Sequence, residues 1–414
     1  MANHRWRVIV LLMLFAALGH FNRVGITVAG DEVFIPKFGI EETRMGWVYT
    51  AFLIVYTIGM LPGGWLIDRI GAVRTLTLYG VSMGVFVMLT GTLGSITENP
   101  YYLWIGLLII RGMAGVCNSP LHPGAAHVVS GVMQPQRRAT ANGFITAGAL
   151  VGIACCYPGF GWLMDSFSWP LAFVISGFLL ACFGVFWFFT ASPIVHETPN
   201  SDDGEDSEST DKSRMDLLTD PNLWLITLSY AAYGYFQYLF FYWMGYYFKE
   251  VLNVPAEDAR WASFWIMLAQ GAGMAIGGSS TDLICRFFGV VWGRRTIVFF
   301  GMGFGAIFGF IAIGYDNLIS ISVYFALAMA ATGMVEGVFW TTATDIGGKS
   351  RGLSGAFMNT GGNAGGLISP VLTPVIAASV GWSGSIIVAC IIAAAGGLLW
   401  LGIRPPVEDA QAEQ

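Results

Sequence analysis

The chain has 414 residues, of which 55% are hydrophobic and 11% charged, and its formal net charge is −6. Soluble domains carry about a quarter charged residues, so a composition this apolar excludes the ordinary soluble classes before any motif is read. The acidic surplus concentrates in one stretch, His196–Asp216, and no basic patch of the kind that binds nucleic acid accompanies it.

Hydrophobic segments of about 20 residues, the length that crosses a bilayer as a helix, recur from Trp6 to Ile403 with short polar breaks, which leaves no room for a soluble domain. Twelve spans are predicted, at roughly 6–29, 45–67, 75–95, 102–130, 139–163, 169–192, 220–247, 258–281, 295–314, 318–343, 353–379 and 382–403. Each must be helical, because hydrocarbon offers the backbone no hydrogen-bond partner. Arg5 and Arg7 precede a short apolar run, as in a secretory signal. The apolar pattern continues through Arg23 to Gly30 without a small-residue cleavage site, however, which predicts a retained first helix. The six cysteines, at 117, 155, 156, 182, 285 and 390, fall in or at the ends of apolar segments without metal-ligand spacing or a disulfide framework, and read as packing residues.

Lysine and arginine fix the orientation. With both termini cytoplasmic, the inner side holds Arg5, Arg7, Arg69, Arg74, Arg137, Arg138, Lys212, Arg214, Arg286, Arg294, Arg295, Lys349, Arg351 and Arg404, and the outer side only Lys37, Arg44, Lys249 and Arg260. Arg23 and Arg111 remain, both inside spans. An arginine at bilayer depth costs several kcal/mol unless it faces water, a partner or an anion, so each marks a functional pathway by default. Their rival roles are structural: a conformational lock on helix-end carbonyls for Arg111, and snorkelling for Arg23.

The segment 193–218 is rich in Ser and Asp, the composition of a flexible linker, and divides an N-terminal six-span half, 1–192, from a C-terminal half, 219–403, that ends in a short tail, 404–414. The halves share a pattern. After the fourth span come Gly143, Gly148, Gly152, Pro158 and Trp169; after the tenth come Gly355, Gly361, Gly365, Pro370 and Trp382. Repeated halves around a site near the midplane are the general plan of secondary transporters.

After the second span the chain reads Gly63-Gly64-Trp65-Leu66-Ile67-Asp68-Arg69-Ile70-Gly71-Ala72-Val73-Arg74. Its glycines allow a tight turn, and Asp68 can accept from arginines or a helix N-terminus and so latch the cytoplasmic side. A degraded copy follows the eighth span: Gly277, Gly278, Asp282, Arg286, Gly293, Arg294 and Arg295. This loop resembles the signature of the major facilitator superfamily.

Three stretches are similar to its anion:cation symporter branch, whose members move sugar acids, dicarboxylates, aromatic acids or phosphate. They are His20-Phe21-Asn22-Arg23-Val24, Arg111-Gly112-x-x-Gly115-x-x-Asn118-Ser119-Pro120, and Gly355-x-x-x-Asn359-x-x-Gly362-Asn363-x-Gly365-Gly366-x-x-Ser369-Pro370. Tyr56, ahead of Leu61-Pro62-Gly63-Gly64, adds to the likeness.

The resemblance implies an all-α membrane protein of twelve helices, with Arg23 and Arg111 binding the cargo's anionic group and Tyr56, Trp340 and Asn359 lining the site beside His20, Asn22 and Asn118. It also implies a cytoplasmic gate of Gly64, Asp68, Arg69, Gly71 and Arg74. A guanidinium fork pairs bidentately with carboxylate or phosphate, and indole and amide groups suit a polyhydroxyl chain.

Two departures from that pattern are Asn22 and Asn118, which stand where proton-coupled members carry acids and which cannot titrate. The nearest substitutes are Glu336, His20 and His122. On the aromatic seventh span, Tyr235 and Tyr238 are the candidates to line a cavity.

The expected protein is a monomeric, multi-pass transporter of a bacterial inner membrane, moving a small organic anion such as a sugar acid inward with protons. It needs the lipid bilayer and takes no cofactor, metal or nucleic acid. Uniport or anion exchange without protons is the close alternative, and a transporter-like anion sensor the more distant one. No Gly-Lys-Ser/Thr phosphate loop and no nucleophile–base constellation points to an enzyme.

Overall fold

The computed structural model describes residues 2–97, 99–196, 219–347 and 351–404. The acidic linker expected over 193–218 lies outside the described residues from 197 onward, as does the tail after residue 404. Among the described residues every regular element is a helix. In chain order these are α1 (Ala2–Ala29), α2 (Glu42–Ile70), α3 (Ala72–Ile96), α4 (Pro100–Asn118), α5 (Leu121–Val132), α6 (Pro135–Ser166) and α7 (Trp169–His196). After the linker come α8 (Pro221–Tyr246), α9 (Ala256–Ala312), α10 (Leu318–Gly333), α11 (Glu336–Gly347) and α12 (Arg351–Leu399).

The twelve expected spans map onto these helices with four departures. The fourth is broken between α4 and α5 at Ser119–Pro120, and the tenth between α10 and α11 at Met334–Val335. Pro120 brings no backbone N–H to the ladder. Before the second break, the Thr332 hydroxyl donates back to the carbonyls of Ala328 and Met329, at 3.0 and 3.2 Å, a pattern that bends helices.

Conversely, the loops expected after the eighth and eleventh spans are nearly absent. Helical backbone runs through them except at Gly289 in α9 and Gly381 in α12, whose φ values of 75° and 78° are open to glycine at little cost. At 1.5 Å per residue the 46-residue apolar stretch Ser354–Leu399 would reach about 69 Å, twice the thickness of a hydrocarbon core of about 30 Å, so it holds two crossings.

Eight described helices are long and apolar enough to cross a membrane, and the bent pair Glu42–Met60 and Pro62–Ile70 makes a ninth. The spans that fall short by composition are α8 and the first part of α9. In α8 the tyrosines Tyr230, Tyr233, Tyr235, Tyr238, Tyr242 and Tyr246 replace aliphatic residues.

The chain packs into two compact units. One gathers Met1–Glu205 with Gly245–Phe264, the other Asp206–Met244 with Trp265–Gln414. In the first, a Cβ on Gly148 or Gly152 of α6 would strike the α1 carbonyls of Met13 and Ala17. In the second, a Cβ on Gly361 or Gly365 of α12 would strike the α8 carbonyls of Thr227 and Ala231. The repeated glycines therefore do the same work twice, letting two helix backbones touch where lipid supplies no hydrophobic drive for association. Buried indoles are satisfied likewise: Trp187 donates to Val73 O (3.3 Å), Trp243 to Pro370 O (3.0 Å) and Trp400 to the Ser229 hydroxyl (3.0 Å).

A side chain at these crossings must force the helices apart. Gly152→Leu and Gly365→Leu are each expected to lower the thermal unfolding midpoint of detergent-purified protein, at a cost of about 1–3 kcal/mol or more. Gly143→Leu, where a Cβ meets nothing within 4 Å, should leave the midpoint unchanged. Equal effects at all three positions would show that close approach is not what these glycines provide.

Candidate functional site

In the first unit, α1 supplies His20, Asn22 and Arg23, α2 supplies Phe52 and Tyr56, α4 supplies Arg111 and Asn118, and α5 supplies His122. Arg111 is 2% exposed and lies on the buried face of α4 with Leu107, Gly115 and Asn118. One of its nitrogens, Nη2, donates to the backbone oxygen of Arg23 at 2.6 Å, which ties the two arginines' helices together.

The Arg111 Cζ is 4.9 Å from the centroid of the Phe52 ring. The Arg23 Cζ is 5.4 Å from the same centroid and 5.6 Å from that of Tyr56. The Phe52 and Tyr56 rings are near-parallel, at 8° and 6.2 Å. Helices α2 and α4 meet closely here because residue 115 is glycine; a Cβ would strike the carbonyl oxygen of Phe52.

Beside the arginines, His20 and His122 form a pair with Nε2 atoms 3.5 Å apart. The Nδ1 of His20 lies 3.0 Å from the Ala16 carbonyl oxygen. A carbonyl can only accept, so Nδ1 carries the proton, the His20 Nε2 is the acceptor, and His122 donates from its own Nε2. The Asn22 Nδ2 donates to Leu18 O at 2.9 Å. Its Oδ1, and both amide atoms of Asn118, are buried with no hydrogen-bond partner among the described residues. Unsatisfied amides are costly in a core and suit a site that a polar ligand completes.

The second unit holds its own polar cluster. The Glu336 Oε1 accepts from the Tyr230 hydroxyl at 2.7 Å and from the Trp340 Nε1 at 3.0 Å, while Oε2 is buried without a hydrogen-bond partner among the described residues. Tyr230 stacks on Tyr233 at 5.5 Å and 13°, and Gln270 donates to the Tyr233 hydroxyl at 3.4 Å. Glu336 and Trp340, expected in different roles, are thus hydrogen-bonded to each other. On α8 it is Tyr230 that meets the acid. Asn359 is half-buried on α12 and makes no hydrogen bond to this cluster.

At the expected gate, Gly71 turns between α2 and α3 with φ 86°. Asp68 is exposed and makes no ion pair among the described residues, Arg74 is exposed, Gly64 is half-buried, and the Arg69 Cζ lies 4.9 Å from the centroid of the Trp65 ring. In the second half's copy of the loop, the ion pair is made: Arg294 Nη1 reaches Asp345 at 2.6 Å.

A third charged cluster was not anticipated. The chain leaves α1 through a π-helical turn, Gly30–Phe34, and leaves α8 through another, Tyr247–Val251. Lys249 of the second turn donates to the Asp31 carbonyl of the first at 3.1 Å, and Tyr246 donates to Glu42 at 2.6 Å. At the head of α9, Arg260 grips Glu32 with two hydrogen bonds, of 2.7 and 2.5 Å, and also pairs with Asp165 of α6. The sequence signal was present, in that opposite charges sit at the outer ends of three spans, but nothing local says which acid meets Arg260.

An all-helical, repeat-built membrane fold with arginines and unsatisfied amides buried at bilayer depth defines a secondary transporter. The sequence fits the Major Facilitator Superfamily over residues 9–349 and 283–414, and the chain belongs to that family. It is a transporter, not an enzyme, and a multi-pass protein of the cell membrane. A probable galactarate/D-glucarate transporter of Bacillus subtilis is 25% identical, over 98% of this chain and 92% of its own length. A D-galactonate transporter of Escherichia coli is 22% identical, over 96% of this chain and 95% of its own. Among solved structures, a bacterial homologue of the human lysosomal transporter Spinster, inward-facing and occupied, superposes with a TM-score of 0.81 at 16% identity, covering 99% of both chains; this likeness shows the fold.

The Arg260 cluster yields a stability test. The side chains of Arg260 and Glu32 are 7% and 13% exposed, and that of Asp165 is 64% exposed. Arg260→Ala strands a buried carboxylate and is expected to cost about 3–5 kcal/mol. Asp165→Ala removes a solvent-screened partner and should cost about 1 kcal/mol or less. Thermal melts of the two variants read the difference, and equal losses would mean that Glu32 is not the principal partner.

Proposed function

We propose that the protein carries a small organic anion, a sugar acid, into the cell by alternating access with protons coupled to the movement. The observation that carries this reading is the pair of arginines, Arg23 and Arg111, grouped around the Phe52 ring at bilayer depth. Guanidinium groups recognise carboxylates by paired hydrogen bonds. The relatives named for galactarate, D-glucarate and D-galactonate support a polyhydroxylated acid as the cargo. The unsatisfied amides of Asn22 and Asn118 suit its hydroxyl groups. The working halves in this reading are 1–192 and 219–403, joined by the linker 193–218. The Gly64–Arg74 loop is the cytoplasmic gate.

A pair of arginines within the spans favours anions from the outside solution. Inward movement of a monoanion against the membrane potential needs about 2.3 kcal/mol per charge per 100 mV, which coupled protons supply. With Asn22 and Asn118 unable to titrate, Glu336 is the first candidate carrier. Its Oε2, buried without a hydrogen-bond partner among the described residues, is a ready proton site, and the His20–His122 pair is the second candidate. Uniport or exchange without protons is favoured by the same two asparagines, and it differs in that accumulation would ignore a pH gradient.

Uptake of radiolabelled D-glucarate and D-galactonate into liposomes holding the purified protein tests the reading. The wild type should accumulate at least one of them when the outside is acidic. Arg111→Ala should bind it about 30-fold or more weakly while remaining folded, since losing one partner of a buried charge pair costs at least about 2 kcal/mol. Undiminished binding by folded Arg111→Ala, or binding by the wild type without flux, would overturn transport through this site. Glu336→Gln should leave counterflow exchange intact and abolish pH-driven accumulation. Survival of that accumulation would remove Glu336 as the carrier.

A further inference from the structure

Two guanidinium groups assembled for one anion repel each other whenever the site is empty. A carboxylate between them would relieve the repulsion but would also compete with the cargo. An aromatic face attracts a cation through its quadrupole yet carries no net charge and accepts no strong hydrogen bond, so it does not compete with an anion. Phe52 occupies that place. Its ring centroid is 4.9 Å from the Arg111 Cζ and 5.4 Å from the Arg23 Cζ, and the side chain is 1% exposed. Its backbone is held by the close crossing of α2 on α4 at Gly115, and Tyr56, one turn on, extends the aromatic surface under Arg23.

We propose that Phe52 is a positioning residue of the anion site, whose ring holds Arg23 and Arg111 together as one clamp. The inference rests on the anion-binding reading of these arginines. Phe52 does not touch the cargo; it acts through the guanidinium groups. A core phenylalanine chosen only for its volume would be indifferent to the electron density of its ring, whereas a clamp phenylalanine is not.

The test uses full-length protein in detergent, titrated calorimetrically with D-glucarate and D-galactonate. Phe52 is replaced by phenylalanines bearing one, two and three ring fluorines, which drain the π face at nearly constant size. A rise in Kd with each fluorine, reaching about tenfold for the trifluoro ring, is the expected result. Phe52→Tyr should bind near the wild-type level, and Phe52→Leu should weaken binding as much as the trifluoro ring does. A flat fluorine series, with Arg111→Ala still abolishing binding, overturns the role of Phe52 and leaves the anion site standing. Unchanged binding by Arg111→Ala, or no binding of either acid by the wild type, overturns the anion-site reading and this inference with it.

Discussion

A guanidinium buried in a hydrocarbon slab is the constraint on which the first unit depends. On insertion scales an arginine at the centre of a membrane helix costs about 2.5–3.5 kcal/mol, and more where water cannot follow it. Arg111 is 2% exposed. Its surroundings are what make the charge tolerable: the backbone oxygen of Arg23 on α1, the Phe52 face on α2, and a glycine on its own helix that lets α2 come close enough to present that face. Together they hold the guanidinium on the buried face of α4.

Packing in both units serves the same end by the same means. Lipid tails are as apolar as leucine, so helices associate through close contact and hydrogen bonds instead of through exclusion of water. Gly148 and Gly152 bring α6 onto α1, and Gly361 and Gly365 bring α12 onto α8. The fourth and tenth spans each break near their middle, and the first and seventh each end in a π-helical turn. Such breaks free backbone groups and re-aim side chains, and they concentrate at functional positions. Arg111, Asn118 and His122 flank the first break, and Glu336 and Trp340 follow the second directly.

Acids and bases in the described residues are distributed by role. Those within the spans, namely Arg23, Arg111, the His20–His122 pair and Glu336, sit beside aromatic rings, a backbone carbonyl and one another. Arg260, at the mouth of its span, is saturated, with Glu32 and Asp165 taking the guanidinium nitrogens between them. A saturated ion cluster has little left to offer a cargo and serves to hold helices.

Hydropathy and charge along the chain were enough to reveal the membrane environment, the helical character, the twelve spans and the two arginines inside them. These follow from local properties, chiefly hydropathy over about 20 residues and the cost of an isolated charge. The spacing of glycines and prolines also disclosed the repeat, because a motif kept in register in both halves is legible without a fold. The partners of these residues emerge from the packing of the helices. Arg111 meets Arg23 across 88 residues, Tyr230 meets Glu336 across 106, and Arg260 meets Glu32 across 228. Phe52 read as one apolar residue among many, and Tyr230 as one tyrosine of six in α8. Which ring faces a guanidinium and which hydroxyl faces a carboxylate depends on the rotation and crossing of whole helices. Those are set by many small contacts summed along each interface, and no window of sequence contains them.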